Sequence, residues 1–400
     1  MSLELSAKAQ AVKPSKTLAI TAKVKELKSQ GIDIVGFGAG EPDFNTPDNI
    51  NKAAIHAINE GFTRYTEASG TEELKMAVCK KFKKFNKIEY SSNQIVISNG
   101  GKHSLTNVFS AILNPGDEVI IPAPYWLSYP EIVMFSGGIP VFIRATKAQN
   151  YKITADQLEK VCTDKTKALI INSPNNPSGM IYSREELEAI AAVAIRKNIY
   201  VVSDEMYENM VYGGEKHISI ASLNEEIYKR TITCCGVSKS YAMTGWRIGY
   251  TGSTSDIAKL MGSIQSHQTS NPNSIAQKAS TEALNGEQET IALMNEEFNK
   301  RREYIVDRVK NMPYVDAITP LGAFYLFVDV SKVLTKSYMG QVVTDVNKLT
   351  DILLSDFRVV VIPCEDFGFA DHIRLSYAIS MEQIKKGMDR IEEFLAKLNE

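Results

Sequence analysis

The sequence predicts an α/β fold in which a mostly parallel sheet is flanked by helices, with a smaller α+β unit beside it. Between about residues 50 and 250, short apolar runs alternate with helical patterns, which is the rhythm of βαβ units. A long charged helical stretch and three further apolar runs follow after residue 275. A chain of 400 residues, 44% of them hydrophobic, is too long for one simple core, so we expect two domains.

The larger domain is expected to span residues 46–280. Its candidate strands are the runs "QIVISN", "DEVIIPA", "KALIIN", "IYVVS" and "RTITCCG". Helices are predicted between them, including 103–113 and 184–197. Ser183 precedes the second of these helices and Glu186 follows three residues later, which predicts a capping box.

The smaller domain is expected to be discontinuous and to combine residues 1–45 with 281–400. A long connecting helix is predicted at about 281–312, in a pattern that only Gly286 interrupts. The runs "GAFYLFVDV", "FRVVVIP" and "HIRLSYA" predict strands, and a final helix is predicted at 381–399.

Composition favours a small-molecule ligand over nucleic acid or a membrane. The net charge of -2 arises from 45 basic and 47 acidic residues, which are spread along the chain without long blocks. The five cysteines are an odd number and form no CxxC motif, which indicates a reduced protein. The first residues lack a continuous apolar segment, and no later run approaches bilayer length. We therefore expect a cytoplasmic protein, and no metal site is predicted.

The residues that directly follow the predicted strands bear functional groups. Ligands of open parallel sheets bind at the carboxyl edge of the strands, so these positions are the first candidates for a site. They are Gly100, Gly101, Lys102, Tyr125, Trp126, Asn176, Asp204, Tyr207 and Lys239.

Lys239 and Asp204 suit an aldehyde cofactor with a pyridine ring. A lysine desolvated among small residues becomes an amine nucleophile, which forms an imine with a carbonyl. A carboxylate such as Asp204 holds the proton of a pyridinium ring and so lets the ring accept electrons. Gly100 and Gly101, together with Arg247, suit a phosphate.

The remaining strand-end residues suit the same ring. Tyr207 and Asn176 are able to hydrogen-bond a ring oxygen, and Trp126 or Tyr125 is able to lie on a ring face. Taken singly, each residue has an ordinary explanation as a cap, a turn or packing. Their joint occurrence at different strand ends is explained by one ligand, pyridoxal phosphate.

The chain resembles the fold-type I pyridoxal-phosphate-dependent aminotransferases of the aspartate aminotransferase class. Within that class it is most similar to the bacterial branch of aspartate and prephenate aminotransferases. The motifs that carry this resemblance follow the family's order over nearly the whole chain: "KPSKT", "GAGEPDF", "RYTEASG", "SNGGKHSL", "PAPYWLSYPE", "NSPNNPSG", "SDEMY", "SKSYAMTGWRIGY" and "HIRLSYA".

The resemblance implies a role for each residue around the cofactor ring. Lys239 is expected to form the Schiff base with pyridoxal 5'-phosphate and, once displaced by substrate, to shuttle a proton. Asp204 is expected to bind the pyridine nitrogen, and Asn176 and Tyr207 the ring oxygen. Trp126 is expected to stack on the ring, and both Trp126 and Asn176 to line the substrate pocket.

The resemblance also implies a shared active site. Arg247 and the amides of Gly100 and Gly101 are expected to bind the cofactor phosphate, assisted by Tyr65 from a second subunit. The implied assembly is a homodimer. Many relatives carry a phosphate-binding hydroxyl three residues before the lysine, whereas this chain has Gly236 there. A backbone amide, a water or Ser238 remain open as replacements.

Substrate contacts are implied at four further positions. The resemblance implies that Arg374 binds the substrate α-carboxylate. The pattern of "HIRLSYA" supports this role, since Arg374 alternates with apolar residues and so faces away from them. The backbone of Gly40 is expected to contact the same carboxylate. Lys102 and Thr17 are expected to recognise a second carboxylate, although Lys102 could instead be a surface cation at a helix start.

These expectations lead to aspartate aminotransferase activity, in which L-aspartate and 2-oxoglutarate give oxaloacetate and L-glutamate. Prephenate, aromatic and broad-specificity aminotransferases, a C–S lyase and other enzymes of this fold remain alternatives. A nucleotide-binding enzyme is disfavoured, because "GFGAGE" and "GGKH" match neither the dinucleotide nor the P-loop pattern. A ligand-sensing domain of a regulator would need a DNA-binding segment, which the sequence does not suggest.

Overall fold

The computed structural model describes residues 3–6, 10, 12 and 16–399, apart from the side chains of residues 16–19 and 21. The helices are α1 (Lys16–Ser29), α2 (Asp48–Asn59), α3 (Glu72–Lys81), α4 (Gly101–Ile112), α5 (Ser128–Phe135), α6 (Ala155–Val161), α7 (Arg184–Lys197), α8 (Glu225–Tyr228), α9 (Ser255–Gln268), α10 (Ser274–Asn285), α11 (Glu289–Lys310), α12 (Val346–Phe357) and α13 (Met381–Ala396). The strands are β1 (Val35–Gly36), β2 (Ile95–Ser98), β3 (Glu118–Ala123), β4 (Ile139–Arg144), β5 (Thr166–Asn172), β6 (Tyr200–Asp204), β7 (Thr231–Gly236), β8 (Gly249–Gly252), β9 (Asp316–Ala317), β10 (Tyr325–Asp329), β11 (Ser337–Tyr338), β12 (Gln341–Val342), β13 (Val359–Val360), β14 (Ile362–Pro363) and β15 (His372–Ser376).

A seven-stranded sheet with the order β2-β8-β7-β6-β5-β3-β4 forms the centre of the fold. Neighbouring strands from β7 to β4 are parallel, whereas β8 pairs antiparallel with both β7 and β2. Because β8 is reversed against both neighbours, β2 runs in the same direction as β7. All five predicted strands therefore end at one edge of the sheet, and the predicted mostly parallel sheet is confirmed.

Helices cover both faces of this sheet. On one face, Leu105 and Phe109 of α4 pack with Met261 of α9. On the other face, Leu187 and Ile190 of α7 lie in a second apolar cluster. Strands covered on both faces are buried at every position rather than at alternate ones, as β7 shows. Functional groups are consequently concentrated at the strand ends.

A smaller sheet has the order β14-β15-β10-β9 and is antiparallel. Phe298 of α11, Phe324 and Phe394 of α13 lie in the apolar cluster beside it. Strand β1 pairs in parallel with β13, so residues of the amino-terminal segment contact the carboxyl-terminal part of the chain. The division into domains at residues 46 and 281 stays a prediction.

The connecting helix differs from the expectation. It begins at Glu289 rather than at about residue 281, because α10 ends at Asn285 and the chain turns at Gly286. The side chain of Gln288 donates to the carbonyls of Ala283 and Gly286, at 3.0 and 2.8 Å, and so satisfies groups that a continuous helix would bond. Glycine also lowers helix stability, which favours the break at this position.

Other local predictions agree closely with the structure. The capping box of α7 is confirmed, since Ser183 accepts from the Glu186 amide at 3.3 Å and Glu186 accepts from the Ser183 amide at 2.7 Å. The final helix ends at Ala396, three residues before the predicted end. Within the described part of the chain, no helix is both long and apolar enough to cross a bilayer.

Candidate active site

A cavity of about 310 Å³ opens at the carboxyl ends of β5, β6 and β7, next to β10 and β15 of the smaller sheet. This volume is within the usual range for a small-molecule site. The predicted site residues that line it are Gly40, Gly101, Lys102, Trp126, Asn176, Asp204, Tyr207, Lys239, Arg247 and Arg374. The structure thus brings together residues that are up to 334 positions apart in the chain.

Asp204 is the last residue of β6, and its carboxylate is held on both oxygens. Tyr129 donates to Oδ2 at 2.6 Å, and the Met206 amide donates to Oδ1 at 3.1 Å. Burial raises the pKa of Asp204 to about 6, and the two hydrogen bonds oppose that rise. The carboxyl group is therefore largely ionised at neutral pH despite its burial.

Lys239 follows β7 and extends its amine into the cavity. Its Nζ donates to the Gly40 carbonyl at 2.5 Å. Burial lowers the pKa of Lys239 to about 8; the charge of Glu41 opposes this, and the charges of Arg247 and Arg374 add to it. At neutral pH the amine is accordingly much closer to its neutral, nucleophilic form than an exposed lysine would be.

Arg247 and the start of α4 form a cradle suited to an anion. Gly100 has a φ of +85°, and a Cβ at this position would lie 2.3 Å from Nη2 of Arg247. A Cβ on Gly101 would lie 2.5 Å from Cε of Met206. The positive φ favours glycine at position 100, and the absence of side chains at positions 100 and 101 leaves room for Arg247 and Met206. The first amides of α4 have no acceptors within their own helix. Such amides, next to a guanidinium, suit a phosphate.

Arg374 is a buried cation whose donors are incompletely paired. It is 2% exposed, and its two terminal nitrogens donate to Oδ1 of Asn176 at 2.9 Å and to the Gly38 carbonyl at 3.2 Å. Its Nε has no hydrogen-bond partner among the described residues. A buried, partly unpaired guanidinium on a cavity wall indicates an anionic ligand.

Tyr207, Trp126 and Lys102 complete the predicted lining. The Tyr207 hydroxyl is hydrogen-bonded to that of Tyr325 at 3.0 Å. Lys102 Nζ lies 5.0 Å from the centroid of the Trp126 ring, and burial lowers the pKa of Lys102, with a further contribution from the charge of Arg247. Lys102 is exposed at the second position of α4 and also lines the cavity, so its role as a cation of the cavity stays a prediction.

Comparison with known proteins identifies the family. A family model described as aminotransferase class I and II matches residues 32–391. The chain belongs to the aminotransferase class I and II family. It is 50% identical to an aspartate aminotransferase of Bacillus sp. (strain YM-2), covering 98% of this chain and 99% of that protein. It is 44% identical to an aspartate/prephenate aminotransferase of Nitrosomonas europaea, covering 98% and 100%.

A solved structure supports the same assignment. The crystal structure of an aspartate aminotransferase from Rhizobium meliloti is similar to this aminotransferase over 100% of both chains, with a TM-score of 0.96 and 38% sequence identity. This likeness and the sheet order together confirm the predicted fold class.

Some predicted residues of this aminotransferase lie elsewhere. Tyr65 is 89% exposed and lies outside the cavity of its own chain. The backbone of Thr17 is part of α1, but its side chain lies outside the described residues. Tyr125 stacks on Phe142 with centroids 5.1 Å apart, so Trp126 is the aromatic side chain of the pair that lines the cavity.

The absence of a side chain at Gly236 has a steric reason. A Cβ there would lie 2.9 Å from Cε of Met206 and 3.0 Å from the Ile248 carbonyl, so a larger residue would require these neighbours to shift. Ser238, two residues later, lines the cavity. Its hydroxyl stays one of the predicted replacements for the missing one.

Two tyrosines of the aminotransferase site were missed by the sequence reasoning. Tyr129 donates to Asp204 and packs edge-to-face on Trp126, with centroids 5.4 Å apart. Tyr325 contacts both Tyr207 and Arg374. Both tyrosines lie in apolar segments and look like ordinary core residues in the sequence. The only sequence signal for Tyr129 was its position three residues after Trp126.

A buried polar network stabilises the turn that follows Asp204. Glu205 accepts from Asn86 at 3.0 Å and is paired with His217 at 2.9 Å. Glu208 accepts from Asn86 at 2.7 Å and forms an ion pair with Lys81. The ammonium of Lys81 offsets the negative charge of Glu208. It anchors the segment that presents Asp204 to the cavity.

Proposed function

We propose that this protein is a pyridoxal-phosphate-dependent aspartate aminotransferase. The reaction transfers the amino group of L-aspartate to 2-oxoglutarate and yields oxaloacetate and L-glutamate. The observation that carries the proposal is the convergence of Lys239, Asp204 and Arg374 on one cavity. The relatives named as aspartate aminotransferases support the choice of substrate.

The residues of the cavity fit pyridoxal 5'-phosphate. Because Gly100 has no Cβ, the Arg247 guanidinium packs directly against the start of α4. The guanidinium and the amides of this helix start suit a phosphate. Ser238 adds a hydroxyl on the cavity wall. When bound, the cofactor supplies a ring that withdraws electrons from the substrate Cα.

The other ring contacts follow from the donors and acceptors present. Asp204 is ionised at neutral pH and so is able to accept a hydrogen bond from a pyridinium nitrogen. Tyr207 supplies a hydroxyl donor for the ring oxygen. Asn176 uses Oδ1 to accept from Arg374, which leaves its Nδ2 to donate to the same oxygen. Trp126 provides an aromatic face.

Lys239 is the residue that we propose to move the proton at the substrate Cα. Its lowered pKa, about 8, allows the amine to accept a proton and to return it near neutral pH. Its contact with the Gly40 carbonyl orients Nζ while the site is free of substrate. Lys239 therefore serves both as the covalent tether and as the acid/base group.

Two cations give the proposed specificity for a dicarboxylate. Among the described residues, Arg374 Nε has no partner and the two terminal nitrogens bond neutral oxygens, so the guanidinium keeps its full charge for the substrate α-carboxylate. Lys102 lies on the cavity wall and is a cation for the second carboxylate. Thr17 is proposed to assist it. Prephenate, which also has two carboxylates, is a second candidate substrate because of the Nitrosomonas europaea relative.

We also propose a homodimer with shared active sites. Arg247 faces the cavity on one side and an open groove with Thr46, Trp246 and Asn273 on the other. A second copy of the chain would close this groove. Tyr65 is 89% exposed and is proposed to reach the phosphate of the partner's cofactor.

The test of this function is product formation over a panel of amino donors. Purified protein is mixed with 2-oxoglutarate and aspartate, alanine, phenylalanine or tyrosine, and glutamate is measured. The reverse assay offers prephenate or oxaloacetate with glutamate. We expect the highest kcat/KM with aspartate. Absence of glutamate with every donor would refute transamination, and a higher kcat/KM for an aromatic donor would refute the substrate assignment.

A further inference from the structure

Tyr325 is a buried residue that lies between Tyr207 and Arg374 of the proposed site. It is 1% exposed and belongs to β10, the strand that pairs with the Arg374 strand β15. Its hydroxyl lies 3.0 Å from that of Tyr207. Its ring centroid lies 4.3 Å from Cζ of Arg374. One residue therefore contacts both the proposed ring-oxygen donor and the proposed carboxylate-binding arginine.

We propose that Tyr325 is a positioning residue that holds Tyr207 through its hydroxyl and Arg374 through its ring. In this way it fixes the cofactor-ring subsite and the substrate-carboxylate subsite relative to each other. The inference rests on the proposed function of the site and adds a residue that neither the motifs nor the family resemblance had singled out.

The Tyr325 hydroxyl is the group that would hold Tyr207, because each of the two hydroxyls has a single proton to donate. Burial raises the pKa of both Tyr207 and Tyr325, so each hydroxyl keeps its single proton at neutral pH. If Tyr207 donates that proton to the ring oxygen, its own oxygen has to accept, and Tyr325 is the donor within reach. Hydrogen bonds in such a chain strengthen each other. The loss of the Tyr325 hydroxyl would thus weaken the bond between Tyr207 and the cofactor.

The Tyr325 ring is the group that would hold the Arg374 guanidinium. Its bonds to Asn176 and Gly38 leave Nε free, so hydrogen bonding alone leaves the plane of the guanidinium partly undetermined. The rings of Tyr325 and Phe367 lie 4.3 and 5.3 Å from its Cζ. A desolvated cation–π contact stabilises the charge without using any donor, which leaves Nε for a carboxylate.

If Tyr325 had only a packing role, a different result would be expected for its variants. Tyr325 packs against Phe324, with centroids 4.7 Å apart, in the apolar cluster of the smaller sheet. If packing were its only role, phenylalanine would replace it without effect on either ligand. Variants that remove the hydroxyl alone, or the hydroxyl and the ring together, separate these possibilities.

The experiment compares Tyr325→Phe and Tyr325→Leu with wild type and with Tyr377→Phe. Tyr377 is a suitable control because it is a buried tyrosine of the same cluster, and its hydroxyl donates to the Ala323 carbonyl. That carbonyl keeps a second donor, Tyr212, at 2.6 Å. The dissociation constant of pyridoxal phosphate is measured by titration of the cofactor-free protein. The dissociation constant of maleate, an unreactive dicarboxylate, is measured by calorimetry on the holoprotein.

We expect Tyr325→Phe to weaken cofactor binding by about fivefold, the loss of one neutral hydrogen bond, and to leave maleate binding within about twofold. Tyr325→Leu should weaken maleate binding by about tenfold in addition. Tyr377→Phe should change neither constant by more than about twofold.

Two results would overturn the inference. One is a cofactor affinity of Tyr325→Phe that is within about twofold of wild type. This result would refute the inference even if Tyr325→Leu does not fold. The other is maleate affinity in a folded Tyr325→Leu equal to that in Tyr325→Phe. The wild-type constants test the proposed function separately, because a protein that binds neither ligand would refute that function whatever the ratios among variants.

Discussion

Replacing Lys239 by methionine should stabilise the cofactor-free protein at neutral pH, although the same change removes the proposed catalytic group. Burial lowers the pKa of Lys239 from 10.5 to about 8, and each pKa unit corresponds to about 1.4 kcal/mol. Burying the charged ammonium of Lys239 thus lowers the free energy of unfolding at pH 7 by about 3 kcal/mol. Loss of the hydrogen bond to the Gly40 carbonyl offsets about 1 kcal/mol of the gain. The expected net stabilisation is about 2 kcal/mol.

The pH dependence of this effect is specific. Because the folded-state pKa lies below the unfolded one, the cost is fully present below pH 8 and fades as the pH rises towards 10.5. Urea unfolding of both proteins at pH 7 and pH 10 measures it, with Lys83→Met, at a 70% exposed side chain, as the control. A Lys239→Met protein that is less stable than wild type at pH 7, or a gap that widens with pH, would refute a desolvated lysine.

Three further substitutions test other contacts. Arg374→Leu should lower kcat/KM for aspartate by about a hundredfold, because a buried cation that pairs with substrate is lost; steady-state kinetics that show a change below about threefold would contradict this. Lys102→Ala should raise KM for aspartate by about tenfold and leave KM for alanine unchanged, since alanine lacks the second carboxylate; equal effects on both donors would contradict it. Lys81→Met should destabilise the protein by about 3 kcal/mol or more in urea unfolding, because Glu208 stays buried without its ammonium, and the added change Glu208→Leu should recover most of the loss.

Most of the site residues that the sequence predicted lie at the ends of strands. The runs that end before Gly100, Asn176, Asp204 and Lys239 are buried strands, and their ends meet at one edge because β2, β3, β5, β6 and β7 share one direction. Arg374 was singled out by the family resemblance and supported by alternation in its strand, and it lines the cavity. Periodicity and the geometry of parallel sheets were sufficient for the strand-end positions.

Other features depend on long-range packing that local patterns do not encode. Strand β8, with two glycines in four residues, has a weak strand signal and forms because β2 and β7 flank it. The break before Glu289 depends on where the Gln288 side chain bonds. Tyr129 and Tyr325 look like core residues until the elements around them are assembled. The proposed role of Tyr65 requires a second copy of the chain, which local patterns do not encode.

The visible absorption spectrum of the purified protein tests the central claim most directly. Wild type should show the band of a protein-bound pyridoxal imine, and aspartate should convert it to the shorter-wavelength band of the aminated cofactor. 2-Oxoglutarate should then restore the original band. Lys239→Ala should lack this cycle. A wild-type band that aspartate leaves unchanged, or a Lys239→Ala protein that cycles as fast as wild type, would contradict the account.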